Sequence, residues 1–139
     1  MSPDVRSDLD AIPAYVPGAT VPGAVKLASN ETTAGPPPSV AAAIAEAAAG
    51  ANRYPDITAH ALVERIAEHL GVDATHVAAG CGSVALCQQL VQAVCAPGDE
   101  VIFGWRSFEA YPIISRIAHA VPVQVPNRPD GALDLDAIA

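Results

Sequence analysis

From His76 onward, short apolar runs alternate with helical stretches across glycine or proline turns, and this rhythm constrains the fold more than any other feature. His76-Val77-Ala78-Ala79 reads as a short buried strand and Gly80-Cys81-Gly82-Ser83 as a tight turn. Val84 to Val94 places Val84, Cys87, Val91 and Val94 on one stripe of a helix. Ala96-Pro97-Gly98-Asp99 is a turn, and Glu100-Val101-Ile102-Phe103 a second strand. Tyr111 to Ala120 reads as a helix with Pro112 in its first turn. Ala120 to Val125 is a third strand, and Pro122 within it points to a sheet edge or a bulge. Strand–helix–strand–helix–strand at this spacing predicts an α/β fold with a parallel sheet and right-handed crossovers.

The residues before His76 read differently. Pro3, Pro13, Pro17 and Pro22 fix φ and remove N–H donors, so residues 1 to 25 read as an extended arm. Val25-Lys26-Leu27-Ala28 is a candidate strand leading into a rigid loop, Gly35-Pro36-Pro37-Pro38. Ser39 to Ala49 reads as an alanine-rich helix with Pro38 at its start and Gly50 at its end. Thr58 to Leu70 is another, with Leu62, Ile66 and Leu70 on one face and Gly71 as its stop. Glu64 and Glu68 on that helix read as a solvated face. Leu133 to Ala139 opens like a helix, acids first and apolar residues after, without continuing, so a longer polypeptide is expected.

Composition narrows the function. Fifteen acidic against seven basic residues give a formal net charge of -8, the wrong sign for a chain that must neutralise nucleic-acid phosphates. No apolar run approaches the roughly 20 residues of a membrane span. The polar, acidic start does not read as a signal peptide. Three cysteines, Cys81, Cys87 and Cys95, lack Cys-x-x-Cys spacing, and the four histidines lack ligand spacing. No metal site is expected, and a reducing cytoplasm is the default location.

Chemistry points to the turn at Gly80. A Gly-x-Gly turn between strand and helix frees backbone N–H groups at a positive helix terminus, which suits a phosphate. Gly80-Cys81-Gly82-Ser83-Val84-Ala85 also fits the loose dinucleotide pattern. A nicotinamide site expects an acid at the end of the next strand. Here that end is Trp105-Arg106, so only an NADP reading through Arg106 stays open. The competing reading is a flat-ringed phosphate cofactor stacked on an aromatic from Trp105-Arg106-Ser107-Phe108. Gly-x-Ser-x-Gly is absent, which counts against a serine hydrolase.

Five segments in order carry a resemblance: Lys26-Leu27-Ala28-Ser29-Asn30-Glu31, Asn52-Arg53-Tyr54-Pro55-Asp56, Gly80-Cys81-Gly82-Ser83, Pro97-Gly98-Asp99-Glu100-Val101 and Ser107-Phe108-Glu109-Ala110-Tyr111. With them the chain resembles the N-terminal part of class I/II, fold-type I pyridoxal-phosphate aminotransferases, of the histidinol-phosphate and aromatic amino acid branches. Gly104 to Glu109 resembles the aromatic branch in particular. The resemblance implies residues 1–34 as an N-terminal arm and substrate loop. It implies residues 35–139 as the first part of a mainly parallel, three-layer large domain that binds the cofactor, left incomplete.

Pyridoxal 5'-phosphate is the cofactor so implied. Backbone amides of Gly82, Ser83 and Val84 would hold its phosphate, and Phe108 would stack on its ring. Tyr54 would reach the phosphate of the cofactor in the partner subunit of a homodimer, while Tyr15 and Asn30 would line the substrate pocket. The implied reaction moves an amino group between an aromatic amino acid, or histidinol phosphate, and a 2-oxo acid, 2-oxoglutarate. Two departures from the family pattern leave the substrate open: Ser83-Val84-Ala85 where many relatives have a small residue and Asp-Glu, and Arg106 where many have Pro. The family's Schiff-base lysine and carboxylate-clamping arginine belong to segments beyond Ala139, and Lys26 reads as a surface residue. No residue of this chain is therefore expected to be catalytic, and the chain alone is expected to be inactive. The alternative is a non-catalytic phosphate-binding fragment.

Overall fold

A computed structural model describes every residue except 1–3, 5, 15, 17, 20 and 28. The chain forms two compact units, residues 14–74 and residues 1–13 with 75–139.

In the first unit, proline geometry starts one helix and glycine geometry ends the other. Helix α1 spans Pro38–Ala48, with proline at its first position, where a missing N–H removes no helical bond. Helix α2 spans His60–Leu70 and ends at Gly71, whose φ of 68° is the left-handed conformation that glycine adopts without a Cβ penalty. Both helices lie within about two residues of the sequence expectation. Ala67 is the one buried residue among those described in this unit. The exposed side of α2 carries His60 near Glu64 at 3.9 Å and an Arg65–Glu68 ion pair, the solvated face expected. The candidate strand at Val25 is not one: 25–27 have no regular structure and Ala28 lies outside the described residues.

The second unit holds the sheet. Helix α3 spans Gly82–Val94, strand β1 Glu100–Trp105, helix α4 Ala110–Ile117, strand β2 Val121–Pro126 and the short helix α5 Leu135–Ile138. β1 and β2 pair in parallel, with Glu100 opposite Val121 and Trp105 opposite Pro126. Flanking amides extend the ladder, from Val121 N–H to the Asp99 carbonyl at 2.8 Å and from Asn127 N–H to the Trp105 carbonyl at 2.9 Å. α4 is the crossover and packs on β2 and α3. Phe103, Ile114, Ser115 and Ala120 form the buried core. The fully buried Ser115 hydroxyl donates to the Tyr111 carbonyl one turn back at 2.8 Å, which removes the penalty of a lone buried hydroxyl. Asp134 caps α5 by accepting from the Ala137 amide at 3.1 Å, the helix start expected there.

Two expectations are corrected. The run His76-Val77-Ala78-Ala79 is not a strand: a 3-10 turn occupies Ala74–His76 and 77–80 have no regular structure. A strand needs a neighbour to satisfy its backbone, and the two described strands pair only with each other. The sheet therefore has two strands among the described residues, not three. The arm is also not extended throughout, because Ser7–Ala11 forms a 3-10 helix in a stretch free of proline. From its start the Arg6 guanidinium reaches the His119 ring and donates to the Arg116 carbonyl at 3.3 Å.

Candidate functional site

The Gly80–Ser83 turn feeds directly into α3. Gly82 has φ of 84°, a conformation that a side chain disfavours, and its N–H donates to the Gly80 carbonyl at 2.8 Å. That bond closes the turn and occupies one of the three amides expected to meet a phosphate. Ser83 and Val84 follow in the first turn, where an α-helix has no internal acceptor for its N–H groups, and the N-cap residue Cys81 gives them no side-chain cap. Gly82, Ser83 and Val84 are all exposed. The result is a positive helix terminus whose first-turn amides belong to exposed residues. Gly80 packs closely under the helix: a Cβ there would lie 3.0 Å from Leu86 Cδ2.

At the C-terminal end of β1 the chain turns through Trp105-Arg106-Ser107-Phe108 into α4. Four rings meet there in sequence. Phe103 lies 6.2 Å from Trp105 and 5.5 Å from Tyr111, and Phe108 meets Tyr111 edge-on at 5.4 Å. Phe108 is 41% exposed, so part of its ring is open to a ligand. The loop is bonded at several points. Ser107 Oγ donates to the Gly104 carbonyl at 2.5 Å, and Asn127 Nδ2 donates to the Arg106 carbonyl at 3.0 Å. The Arg106 guanidinium pairs with Glu109 at 3.3 Å and lies 5.5 Å from the Trp105 ring centre.

Three further expected residues fall within the range of the other unit, residues 14–74. Tyr15 lies outside the described residues. Asn30 is exposed in a turn with φ of 50°, next to Ser29 at φ of 73°. Tyr54 is fully exposed in the loop before α2. Lys26 sits 2.5 Å from Glu31 and is 41% exposed, the solvated ion pair expected of a surface lysine. Farther along the same loop, Asp56 accepts from the Thr58 hydroxyl at 2.6 Å, the Thr58 amide at 2.9 Å and the His60 amide at 2.8 Å. These bonds, the Thr58 hydroxyl first, hold its carboxyl below the usual aspartate range.

A cavity of about 550 Å³ opens among α3, β1, α4 and α5, lined by Cys87, Leu90, Phe103, Tyr111, Ile114 and Leu135 among others. None of the expected phosphate or stacking residues lines it. Its apolar walls suit a packing element better than an anionic ligand.

Comparison with known proteins decides what this frame belongs to. The family model described as aminotransferase class I and II matches residues 22–139. The chain belongs to the class I and II aminotransferases. It is 62% identical to an aromatic amino acid aminotransferase of Rhodococcus jostii (strain RHA1), over 99% of this chain and 38% of that protein. It is 60% identical to one of Corynebacterium diphtheriae (strain ATCC 700971), over 97% of this chain and 39% of that protein. Its fold is similar to a histidinol-phosphate aminotransferase of Sinorhizobium meliloti solved with pyridoxal-5'-phosphate, with a TM-score of 0.65 and 31% identity. That match covers 69% of this chain and 26% of the other. This aminotransferase chain thus spans about two-fifths of the length of the curated relatives it matches.

The packing roles of two residues of the aminotransferase frame do not follow from the sequence reading. Gly104 left a usable signal, because a lone glycine inside a strand marks a close approach, here of Leu133 and Asn127. Asn127 left none: its partner, Arg106, lies far back in the chain.

Proposed function

We propose that this chain forms the phosphate-gripping and ring-stacking part of a pyridoxal 5'-phosphate-dependent aminotransferase acting on aromatic amino acids. The observation that supports it most is the first turn of α3, where Ser83 and Val84 are exposed residues with no side-chain cap from Cys81, inside the stretch matched to aromatic amino acid aminotransferases. The residues fit the group: an oxyanion is satisfied by such amides and the helix dipole, and a flat, electron-poor ring by the exposed part of Phe108.

In this reading Ser83 and Val84 hold the phosphate, Gly82 shapes the turn beneath it, and Phe108 limits the tilt of the ring. Exposed Tyr54 reaches the cofactor phosphate of a second copy in a homodimer. Tyr15 and Asn30 face the amino acid and 2-oxo acid substrates, 2-oxoglutarate among them. Residues 1–34 serve as arm and substrate loop and 35–139 as the beginning of the large domain. Bound pyridoxal phosphate supplies the electron sink for bond-breaking at the amino acid α-carbon. Lys26 has no part in that chemistry, since a nucleophilic lysine needs desolvation and Lys26 is solvated and paired with Glu31. Transamination therefore belongs to the full-length form, and the 139-residue chain binds without turning over. The proposed setting is the cytoplasm; among the described residues no helix is long and apolar enough to cross a membrane.

The test uses the single tryptophan, Trp105. Pyridoxal phosphate titrated into the chain is expected to quench Trp105 emission saturably, with inorganic phosphate competing. Tighter binding of NADP than of pyridoxal phosphate, or no saturable quenching, would overturn the assignment.

A further inference from the structure

We propose that Asn127 is a positioning residue for the ring-stacking loop, an inference that rests on the cofactor reading above. Asn127 directly follows β2 and ties that strand's end to the loop after β1 by two bonds of different kinds. Its backbone N–H continues the ladder to the Trp105 carbonyl at 2.9 Å. Its side-chain Nδ2 reaches one residue further and donates to the Arg106 carbonyl at 3.0 Å. Phe108, two residues on, is thereby carried by a backbone fixed from both sides of the turn.

A second observation fits the same role. Asn127 Oδ1 is buried with no hydrogen-bond partner among the described residues. It lies where only glycine admits it, because a Cβ on Gly104 would come within 2.7 Å of Oδ1. A buried orphan carbonyl is unfavourable, so the amide is held in place by what its other end does. Gly104 and Asn127 act as a matched pair: the glycine leaves the space and the amide uses it to reach the loop. Ser107 adds a local brace by donating to the Gly104 carbonyl at 2.5 Å. Aspartate has the shape of asparagine but no donor, and leucine has its branching but no donor, so neither holds Arg106.

The experiment compares the 139-residue chain with Asn127→Leu, using two probes that read different parts of the site. Inorganic phosphate reads the α3 amides alone; pyridoxal phosphate reads those amides and the ring platform. For Asn127→Leu, phosphate affinity is expected to stay at the wild-type value. Pyridoxal phosphate affinity is expected to fall by about two- to tenfold, the range of one lost hydrogen bond. Trp105 is expected to become more accessible to acrylamide in the unliganded variant. Unchanged pyridoxal phosphate affinity and unchanged quenching overturn the inference, and so does an equal loss of both ligands, which marks a merely structural role. If the wild type binds neither ligand, the cofactor reading fails, and Trp105 quenching alone decides whether Asn127 anchors the loop. A measurement without any variant guards against a misfolded mutant: the wild-type Asn127 side-chain amide protons are expected to show an NOE to the Arg106–Ser107 backbone, and its absence overturns the proposal.

Discussion

Gly104 shows how little space one residue leaves at the end of β1. A methyl group there meets Leu133 Cδ2, which can swing away, and Asn127 Oδ1, which is held. Gly104→Ala is therefore expected to destabilise the chain by about 1–3 kcal/mol, the usual range for overpacking, measurable as a lower urea midpoint at constant slope. Asp56 behaves differently because it is ionised and exposed. Its folded-state carboxyl titrates below the ordinary 3.8, so its stabilising bonds are fully present above that value and are lost as pH falls through the lowered folded value. The amides of Thr58 and His60 are expected to show this loss as chemical-shift changes below about pH 4. Asp56→Asn should flatten the pH dependence. Asp56 was legible only as part of a segment that carries the family resemblance; the Asp-x-Thr spacing before a helix was its available signal.

Elements were legible in proportion to how local their causes are. α2 followed from its apolar stripe and the glycine after it, and α1 from proline at its start, because these effects act within a turn or two. The 77–80 run carries strand-like composition but no strand, because pairing depends on a partner set by distant sequence. The same limit hid Asn127. The opening turn of α3 was read correctly as a helix entrance, while the bond from Gly82 N–H to Gly80 was not foreseen, since a turn type does not follow from a Gly-x-Gly pattern. Ser83→Pro isolates the remaining donors. Proline suits a helix's first turn, so far-UV dichroism should stay unchanged while one amide is deleted. Pyridoxal phosphate affinity is expected to fall by about tenfold or more, as for a charge-assisted bond worth roughly 1.5–3 kcal/mol. A wild-type titration curve would remove Ser83 from the site.

At the scale of the whole chain, apolar surface is the dominant fact. Leu90 and Val94 on α3, Ile44 on α1 and Leu70 on α2 are each more than half exposed. The cavity beside α3 adds further apolar wall. Such surface is seldom left open on a monomer. The chain is expected to self-associate and to bind a hydrophobic dye, read by sedimentation velocity across a tenfold concentration series. A single monomeric species with a cooperative melt would contradict this. The two prolines of β2 give that association a direction. Odd-numbered amides from Val121 to Asn127 face β1, as the bonds at both ends of the ladder show, so Pro122, Gln124 and Pro126 face outward. Proline has no proton to give, which leaves Gln124 as the one donor along that rim. The opposite rim keeps its donors at the exposed Glu100 and Ile102, while Gly104 is buried and its carbonyl accepts from Ser107 Oγ. A newcoming strand finds one margin nearly mute and the other able to answer at Glu100 and Ile102, so recruitment to this sheet is one-sided by construction of its backbone.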